Sequence, residues 1–323
     1  MKNVFEEVSL RDVDSLRVTS IVDNNADRSF AKEKKNSIAR RYSFPKEAYD
    51  GVLPIAEHGF SMMIETKSGK DEACILIDAG VTLGGFVNNI KALKIDPNKI
   101  ETVVITHGHA DHFLGLPALS KKFNLKGIKV VAHPAAFYER KFSESQDGPF
   151  TMLKTLVKSD LEELGFKVES NENPIVLGNG MIIASGAVPR DPKYDNTLPF
   201  HYRKSLGGWQ PDPDVIDDQF VVVNVRGAGL VIITGCGHSG IINIIRHAQK
   251  LTGEKRILAV IGGLHLYQNP DSSIIYKELE NINPKYIVPT HCTGWRDIHS
   301  IARIFPEEFI QNSVGTVYSF SSL

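Results

Sequence analysis

Few cysteines, no long apolar run and almost no net charge: each of these shortages removes a class of protein. Cys74, Cys236 and Cys292 are the only cysteines in 323 residues. An odd and sparse set argues against a disulfide framework and for a reducing compartment, so a cytoplasmic location is expected. No stretch reaches the roughly 18 apolar residues of a membrane span, and the N-terminal segment lacks the apolar core of a signal peptide. Lysine and arginine number 37 against 38 acidic residues. That balance makes no electrostatic case for a nucleic acid or a membrane surface as partner, and a small-molecule substrate is the expected one. Internal repeats and low-complexity linkers are absent as well. What is present is a globular composition with 42% hydrophobic residues. Its continuous alternation of strand-like and helix-like runs is read as one domain over residues 1–323.

The strand-like runs begin with Leu16–Val22, ending at Asp23-Asn24, followed by a hairpin pair over Phe60–Glu65 and Ala73–Asp78. Phe86–Leu93 reads as helix, Thr102–Ile105 and Ile128–Ala132 as strands, and Met152–Leu164 as helix from the spacing of Leu153, Leu156, Val157, Leu161 and Leu164. Met181–Ala184 is a further strand, and Val188 to about Asp217 reads as Pro-rich irregular chain. Gln219–Val225 and Leu230–Thr234 form a second hairpin. Helix and strand then alternate over Ile241–Leu251, Ile257–Ile261, Ser272–Ile282, Tyr286–Pro289, Asp297–Ile304 and Thr316–Phe320. Antiparallel pairs mixed with crossovers predict an α/β (α+β) fold in which two sheets pack face to face under helices.

The densest chemistry is His107-Gly108-His109-Ala110-Asp111-His112, directly after the Thr102–Ile105 strand and before a helix expected from Phe113 to about Phe123. Three imidazoles and a carboxylate in six positions make a poor core pattern, because each would need a buried partner. At a strand-to-helix turn they read as metal ligands. Their donor types suit Zn, ahead of Mn or Fe, and four such groups exceed what one catalytic ion usually takes from a protein. Two divalent ions are therefore expected.

Three more strand ends carry chemistry. Thr234-Gly235-Cys236-Gly237-His238-Ser239-Gly240 offers Cys236 and His238 between small residues that let the backbone approach closely. His291 ends the Tyr286–Pro289 strand beside a Gly turn, with Cys292 read as a neighbour rather than a ligand. His265, in Ile261-Gly262-Gly263-Leu264-His265-Leu266, is open between ligand, proton donor and hydrogen-bonded core residue. His58 could line the same site. His133 reads as a strand terminator, and His201, His247 and His299 as surface residues.

His107 to His112 resembles the H-x-H-x-D-H signature of the metallo-β-lactamase superfamily, and the strand order around it is similar from about residue 16 to the end. The resemblance implies a four-layer αβ/βα sandwich with two metals between the sheets. It assigns His107 and His109 to the first metal and Asp111 and His112 to the second. Cys236 falls where the family has a bridging Asp or, in one lactamase subclass, a Cys, and His291 falls where its last His is expected. One departure stands out: the family's mid-chain His is missing from Ala184–Arg190, and His238 is expected to fill that position. Ala56–Ser61, Gly235–Gly240, Gly263–Leu266 and His291–Gly294 further resemble the dihydropterin-ribofuranosylaminobenzene-phosphate synthase subgroup.

Two ions of this kind would generate hydroxide near neutral pH, with Asp111 orienting it and His265 available as proton donor. The first expectation is a metal-dependent hydrolase acting on a phosphorylated or ester small molecule. A synthase or transferase on a pterin-like substrate is second, and a noncatalytic metal-binding or ligand-sensing module third. For the substrate, Arg190 and Trp209 are expected to act from a lid-like loop over residues 188–217, with Trp209 open between stacking on a planar ring and packing the loop down. A basic insertion over about residues 25–50 (Arg28, Lys32, Lys34, Lys35, Arg40, Arg41, Lys46, with Phe30 and Tyr42) reads as a solvated segment or a phosphate-attracting lid.

Overall fold

A computed structural model of the chain describes residues 7–27, 38–42, 51–266 and 272–323. Two sheets pack face to face, and the alternation of side chains along their strands explains why. In the first, Val18, Met62, Ile64, Ile75, Ile77 and Val104 point to one face, where they meet Val221, Val223, Val231, Ile233 and Ile261 of the second. The intervening residues, such as Leu76, Val103, Ile105 and Val130, point the other way and pack with Phe86 and Ile90 of the Leu83–Ala92 helix. On the far side, Val222, Ile232 and Val260 meet Ile241, Ile244, Ile245 and Ala248 of the Ile241–Thr252 helix. The layers therefore run helix, sheet, sheet, helix. Each fully buried aliphatic side chain contributes about 1.5–3 kcal/mol over its exposed state, so this double-sided burial dictates the arrangement.

The first sheet has eight strands among the described residues. Ser15–Val22, Ser61–Ser68 and Asp71–Ile77 pair antiparallel, and then Asp71–Ile77, Thr102–Ile105, Lys129–Ala132 and Lys167–Ser170 run parallel. The second sheet has six strands, and Gly229–Thr234, Ile257–Gly262 and Tyr286–Pro289 run parallel within it. Parallel strands place their carboxyl ends on one rim, where open α/β sheets gather ligand sites.

Four expectations change. The helix expected from Phe113 to Phe123 is two short pieces, Ala110–Phe113 and Pro117–Lys121, because Pro117 has no N–H to continue the first ladder and instead starts the second. Met152–Leu164 is helical only over Lys158–Glu163: Thr151–Met152 is a strand, and the Leu153 amide bonds to the Arg140 carbonyl. The 188–217 segment is not irregular throughout. His201–Ser205 and Gly208–Pro211 form a hairpin that joins Arg140–Phe142 and Thr151–Met152 in a third, four-stranded sheet. In the basic insertion, Ala39–Arg40 adds an edge strand to the first sheet, and Arg41 donates to the Gln311 carbonyl and Thr316 Oγ1. Arg41 is thus a structural tie, while Arg28, Phe30, Lys32, Lys34, Lys35 and Lys46 lie outside the described residues. Among the described residues no helix is long and apolar enough to cross a membrane.

Candidate metal centre

The strand ends bring seven donors together: His109, Asp111, Cys236, His238 and His291 line the floor of one cleft of about 1230 Å³, and His107 and His112 lie buried directly behind them. His107 Nε2 lies 3.0 Å from His109 Nδ1 and 3.3 Å from His238 Nε2. Cys236 Sγ lies 3.3 Å from His112 Nε2, and His291 Nε2 lies 3.2 Å from Asp111 Oδ2. Three sets of donor atoms, each within 4.8 Å of one another, could hold a metal ion: His107, Cys236 and His238; His112, Cys236 and His291; and His58, Asp111 and His291. Cys236 is common to the first two sets and His291 to the last two.

The donor chemistry fits metal. Tetrahedral Zn–N bonds of about 2.0–2.1 Å place neighbouring ligand atoms roughly 3.3 Å apart, close to the contacts seen here. Burial holds His107 and His238 well below the ordinary imidazole range and pushes His109 down to about 3, so these rings face one another as neutral imidazoles rather than as charges. His291 is lowered by burial as well, against the opposing pull of Asp111, whose Oδ2 lies 3.2 Å from its Nε2. Burial would raise the Asp111 carboxyl, but His112 and His291 overcome it and keep the group ionised. The Cys236 thiol is raised well above its usual value by burial and then by Cys292.

A surrounding layer orients these donors. Asp78 Oδ2 is 2.6 Å from His112 Nδ1, and its two oxygens also accept from the Thr106 amide and hydroxyl. Burial disfavours the His112 cation, yet Asp78 and Asp111 outweigh that and raise its pKa. The carboxylate fixes the ring so that Nε2 faces Cys236 Sγ, an arrangement common around metal-ligating histidines. Asp23 accepts from the His291 amide at 2.9 Å. Asp217 accepts from the Gly108 amide, between the first two histidines, and is itself paired to buried Arg140. Gly235 allows the strand carrying Cys236 to press on this layer: a Cβ there would lie 2.0 Å from Thr106 Oγ1.

Three residues of the site hold strained backbone. Asp78, His265 and His291 occupy positive φ, at 53°, 47° and 46°. Each costs a non-glycine residue about 1 kcal/mol or more, and residues held this way cluster at functional sites.

The remaining predicted site residues divide. His58 lines the cleft, 3.8 Å from Asp111. His265 also lines it, its ring centroid 4.3 Å from that of His238, and burial pushes its pKa down to about 4. Arg190 does not face the cleft. It ion-pairs with Asp195 and donates to the His238 carbonyl at 3.1 Å, which makes it a brace for the ligand turn. Trp209 lies on the outer strand of the third sheet beneath Lys141 Nζ, 4.7 Å from the ring centroid, and not on the cleft wall. In the segment lacking the mid-chain His, Ser185 bonds to Gly186, Phe220 and His247, and the Gly186 amide donates to Gln219 Oε1.

Two histidines read as surface residues are not. His247 is buried against Phe220, and His201 lines the cleft, stacked on Phe142 with ring centroids 5.5 Å apart. Sequence reasoning missed Asp78, Arg140 and Asp217 in their supporting roles. For Asp78 the signal was there, an acid at the end of an apolar strand. For Arg140 and Asp217 no local pattern pointed to it.

Fold and strand-end histidines together define a metallo-β-lactamase-type chain. The family model for the metallo-beta-lactamase superfamily matches residues 55–247, and the chain belongs to that superfamily. Within it, the chain is 30% identical over 275 residues to the 7,8-dihydropterin-6-methyl-4-(beta-D-ribofuranosyl)-aminobenzene-5'-phosphate synthase of Methanocaldococcus jannaschii, covering 82% of this chain and 90% of that one. Ribonuclease Z of Thermococcus kodakarensis is 29% identical over 122 residues, 38% of this chain and 34% of its own. Among solved structures, a metal-dependent hydrolase of the beta-lactamase superfamily superposes with a TM-score of 0.70 at 24% identity, covering 95% of this chain and 100% of that one.

Proposed function

We propose that this chain is a metal-dependent hydrolase of a phosphorylated or ester small molecule, with two divalent ions, Zn ahead of Mn or Fe, held by His107, His109, Asp111, His112, Cys236, His238 and His291. The observation that carries this reading is the two three-donor sets sharing Cys236 at the floor of an open cleft. His238 takes the place of the missing mid-chain histidine, 3.3 Å from His107. Such ions, when bound, supply an acidified water and a Lewis acid for charge developing on the substrate oxygen.

The protein's own groups do the rest. Asp111, kept ionised by His112 and His291, accepts a hydrogen bond from the attacking water and so sets its direction. His265 is neutral at pH 7, so it offers an N–H to the developing anion rather than a full proton. His58, whose side chain is 69% exposed, stands between Asp111 and solvent and can carry the proton away. Phe142, Leu198, Phe200 and His201 form the wall that receives the body of the substrate, and among the described residues Arg296 is the arginine on the rim for a phosphate or carboxylate.

A synthase reaction is the second reading, favoured by the relatedness to the Methanocaldococcus jannaschii synthase across most of both chains. Metal analysis paired with assays on phosphomonoesters, phosphodiesters, lactones and that relative's reaction separates the two. Two ions per chain and turnover of one hydrolytic class, lost on Asp111→Ala, is the expected result. Turnover of the synthase substrates alone would shift the assignment to the second reading. Tight binding of two ions with no turnover of any kind, and no change in Asp111→Ala, would exclude both.

A further inference from the structure

We infer that the substrate carries a flat apolar ring next to its reacting group, and that Phe200 is the residue that selects it. That a ring-bearing molecule is turned over rests on the reading above; that a flat ring binds at this wall does not. Phe200 sits at φ 64°, a left-handed conformation that is an outlier for a bulky side chain. Three backbone hydrogen bonds pin it there. The Leu198 amide donates to the Pro213 carbonyl at 2.7 Å, the Asp212 amide to the His201 carbonyl at 2.8 Å, and the Ser143 amide to the carbonyl of Phe200 itself at 3.1 Å. Leu198 also precedes Pro199, which disfavours the helical region for it and stiffens the approach. A turn that needed only this conformation would be served by glycine or asparagine. Phenylalanine there places a half-buried ring on the cleft wall instead. Strain held in place by its surroundings in this way clusters where ligands are gripped.

The ring has flat neighbours. His201, the next residue, is the cross-strand partner of Phe142. Their rings stack with centroids 5.5 Å and planes 21° apart, and both line the cleft. The His201 ring centroid lies 5.9 Å from that of His109, so this surface begins at the edge of the donor cluster. A group lying against it is only a few bonds from the reacting centre. Flat rings meet such a surface by offset stacking, which a puckered ring of equal area cannot do. The class that fits is an ester or phosphoester with an aryl or heteroaryl ring beside the cleaved bond, rather than a phosphorylated sugar or polyol.

The test uses the full chain with zinc added and three unreactive probes that share one anion: benzylphosphonate, cyclohexylmethylphosphonate and methylphosphonate, each titrated by calorimetry. Benzylphosphonate should bind about tenfold tighter than methylphosphonate, and tighter than the cyclohexyl probe, which has similar apolar area but no flat face. Two variants remove the ring differently: Phe200→Asn suits a positive φ, and Phe200→Leu keeps apolar bulk. In both, the preference for benzyl over cyclohexylmethyl should disappear. Trp209→Ala, on the same sheet but off the cleft wall, should keep it. Equal binding of the three probes by the wild type, or binding of none, would overturn the proposal. So would a preference that survives both Phe200 variants, or one lost only in Trp295→Ala, the other aromatic side chain lining the cleft from a different strand end. Hydrolysis of simple methyl esters or phosphoesters with no ring preference among the probes keeps the hydrolase reading and removes this one. A ring preference in a chain that hydrolyses nothing does the opposite.

Discussion

His107 and Cys236 are the side chains through which the two halves of the cluster meet. His107 Nε2 faces a ring nitrogen of His109 on its own turn and one of His238 from the opposite sheet. Replacing His238 by Ala should reduce the bound metal from two ions per chain to one while leaving the fold intact, as read by metal analysis and circular dichroism. Retention of both ions would show that His238 is a bystander. Asp78 acts one step back, through the Nδ1 of His112. Asp78→Asn should weaken metal affinity about 10–100-fold, measured by competition against a chelator of known affinity, and an unchanged affinity would remove its orienting role.

At the scale of elements, the third sheet and the first histidine turn are joined by one buried ion-pair network. Arg140 pairs with Asp212 at 2.9 Å and with Asp217 at 2.5 Å, and Asp217 holds the Gly108 amide. Removing the guanidinium leaves buried carboxylates uncompensated, so Arg140→Gln should cost about 3–5 kcal/mol in urea unfolding. A loss below 1 kcal/mol would mean that water replaces it. This network also marks where the sequence stopped being legible. Long apolar strands and the H-x-H-x-D-H turn could be read locally, because their pattern of two and their donor spacing are written in consecutive residues. The pairing of Arg140–Phe142 with His201–Ser205 was hidden, because its strands are short, polar and about 60 residues apart. For the same reason His201 reads as a surface residue in the sequence, and Trp209 stays open there between a ring that stacks on substrate and one that packs its loop, the role it has in the third sheet. The apolar spacing of Leu153, Leu156 and Leu161 was real but served two elements, a strand-side contact and a short helix, rather than one.

For the molecule as a whole, protons and metal compete. On the proposed ligand set, metal binding would need the Cys236 thiolate and a free His112 Nε2, and the pKa of each group is raised. Metal uptake should therefore release protons, and affinity should fall as pH falls. Calorimetry in buffers of different ionisation enthalpy measures the release, and an apparent enthalpy independent of buffer would contradict it. Stability has its own pH dependence away from the centre. Burial, then nearby Lys250, pushes His247 down to about 4, below the usual value near 6.5. Between those values the unfolded chain takes up a proton that the folded chain refuses, so stability present above about pH 6.5 is lost as pH falls towards 4. The loss approaches about 3 kcal/mol. His247→Phe should flatten that part of the slope in urea titrations between pH 7 and 4.5, and an unaltered slope would show that His247 protonates without penalty.

The two sheets contribute opposite halves of the cleft floor: His107, His109, Asp111 and His112 hang from the first, and Cys236, His238 and His291 from the second. An ion seated between them would act as a rivet across the sandwich, joining segments more than a hundred residues apart. Its binding energy would then count towards keeping the layers shut, adding about 4 kcal/mol at a thousandfold excess over the dissociation constant. Metal starvation would accordingly be felt first as a loosening of one half-sandwich from the other. A chelator should lower the melting temperature, and hydrogen exchange should rise along the inner faces before it rises under the helices.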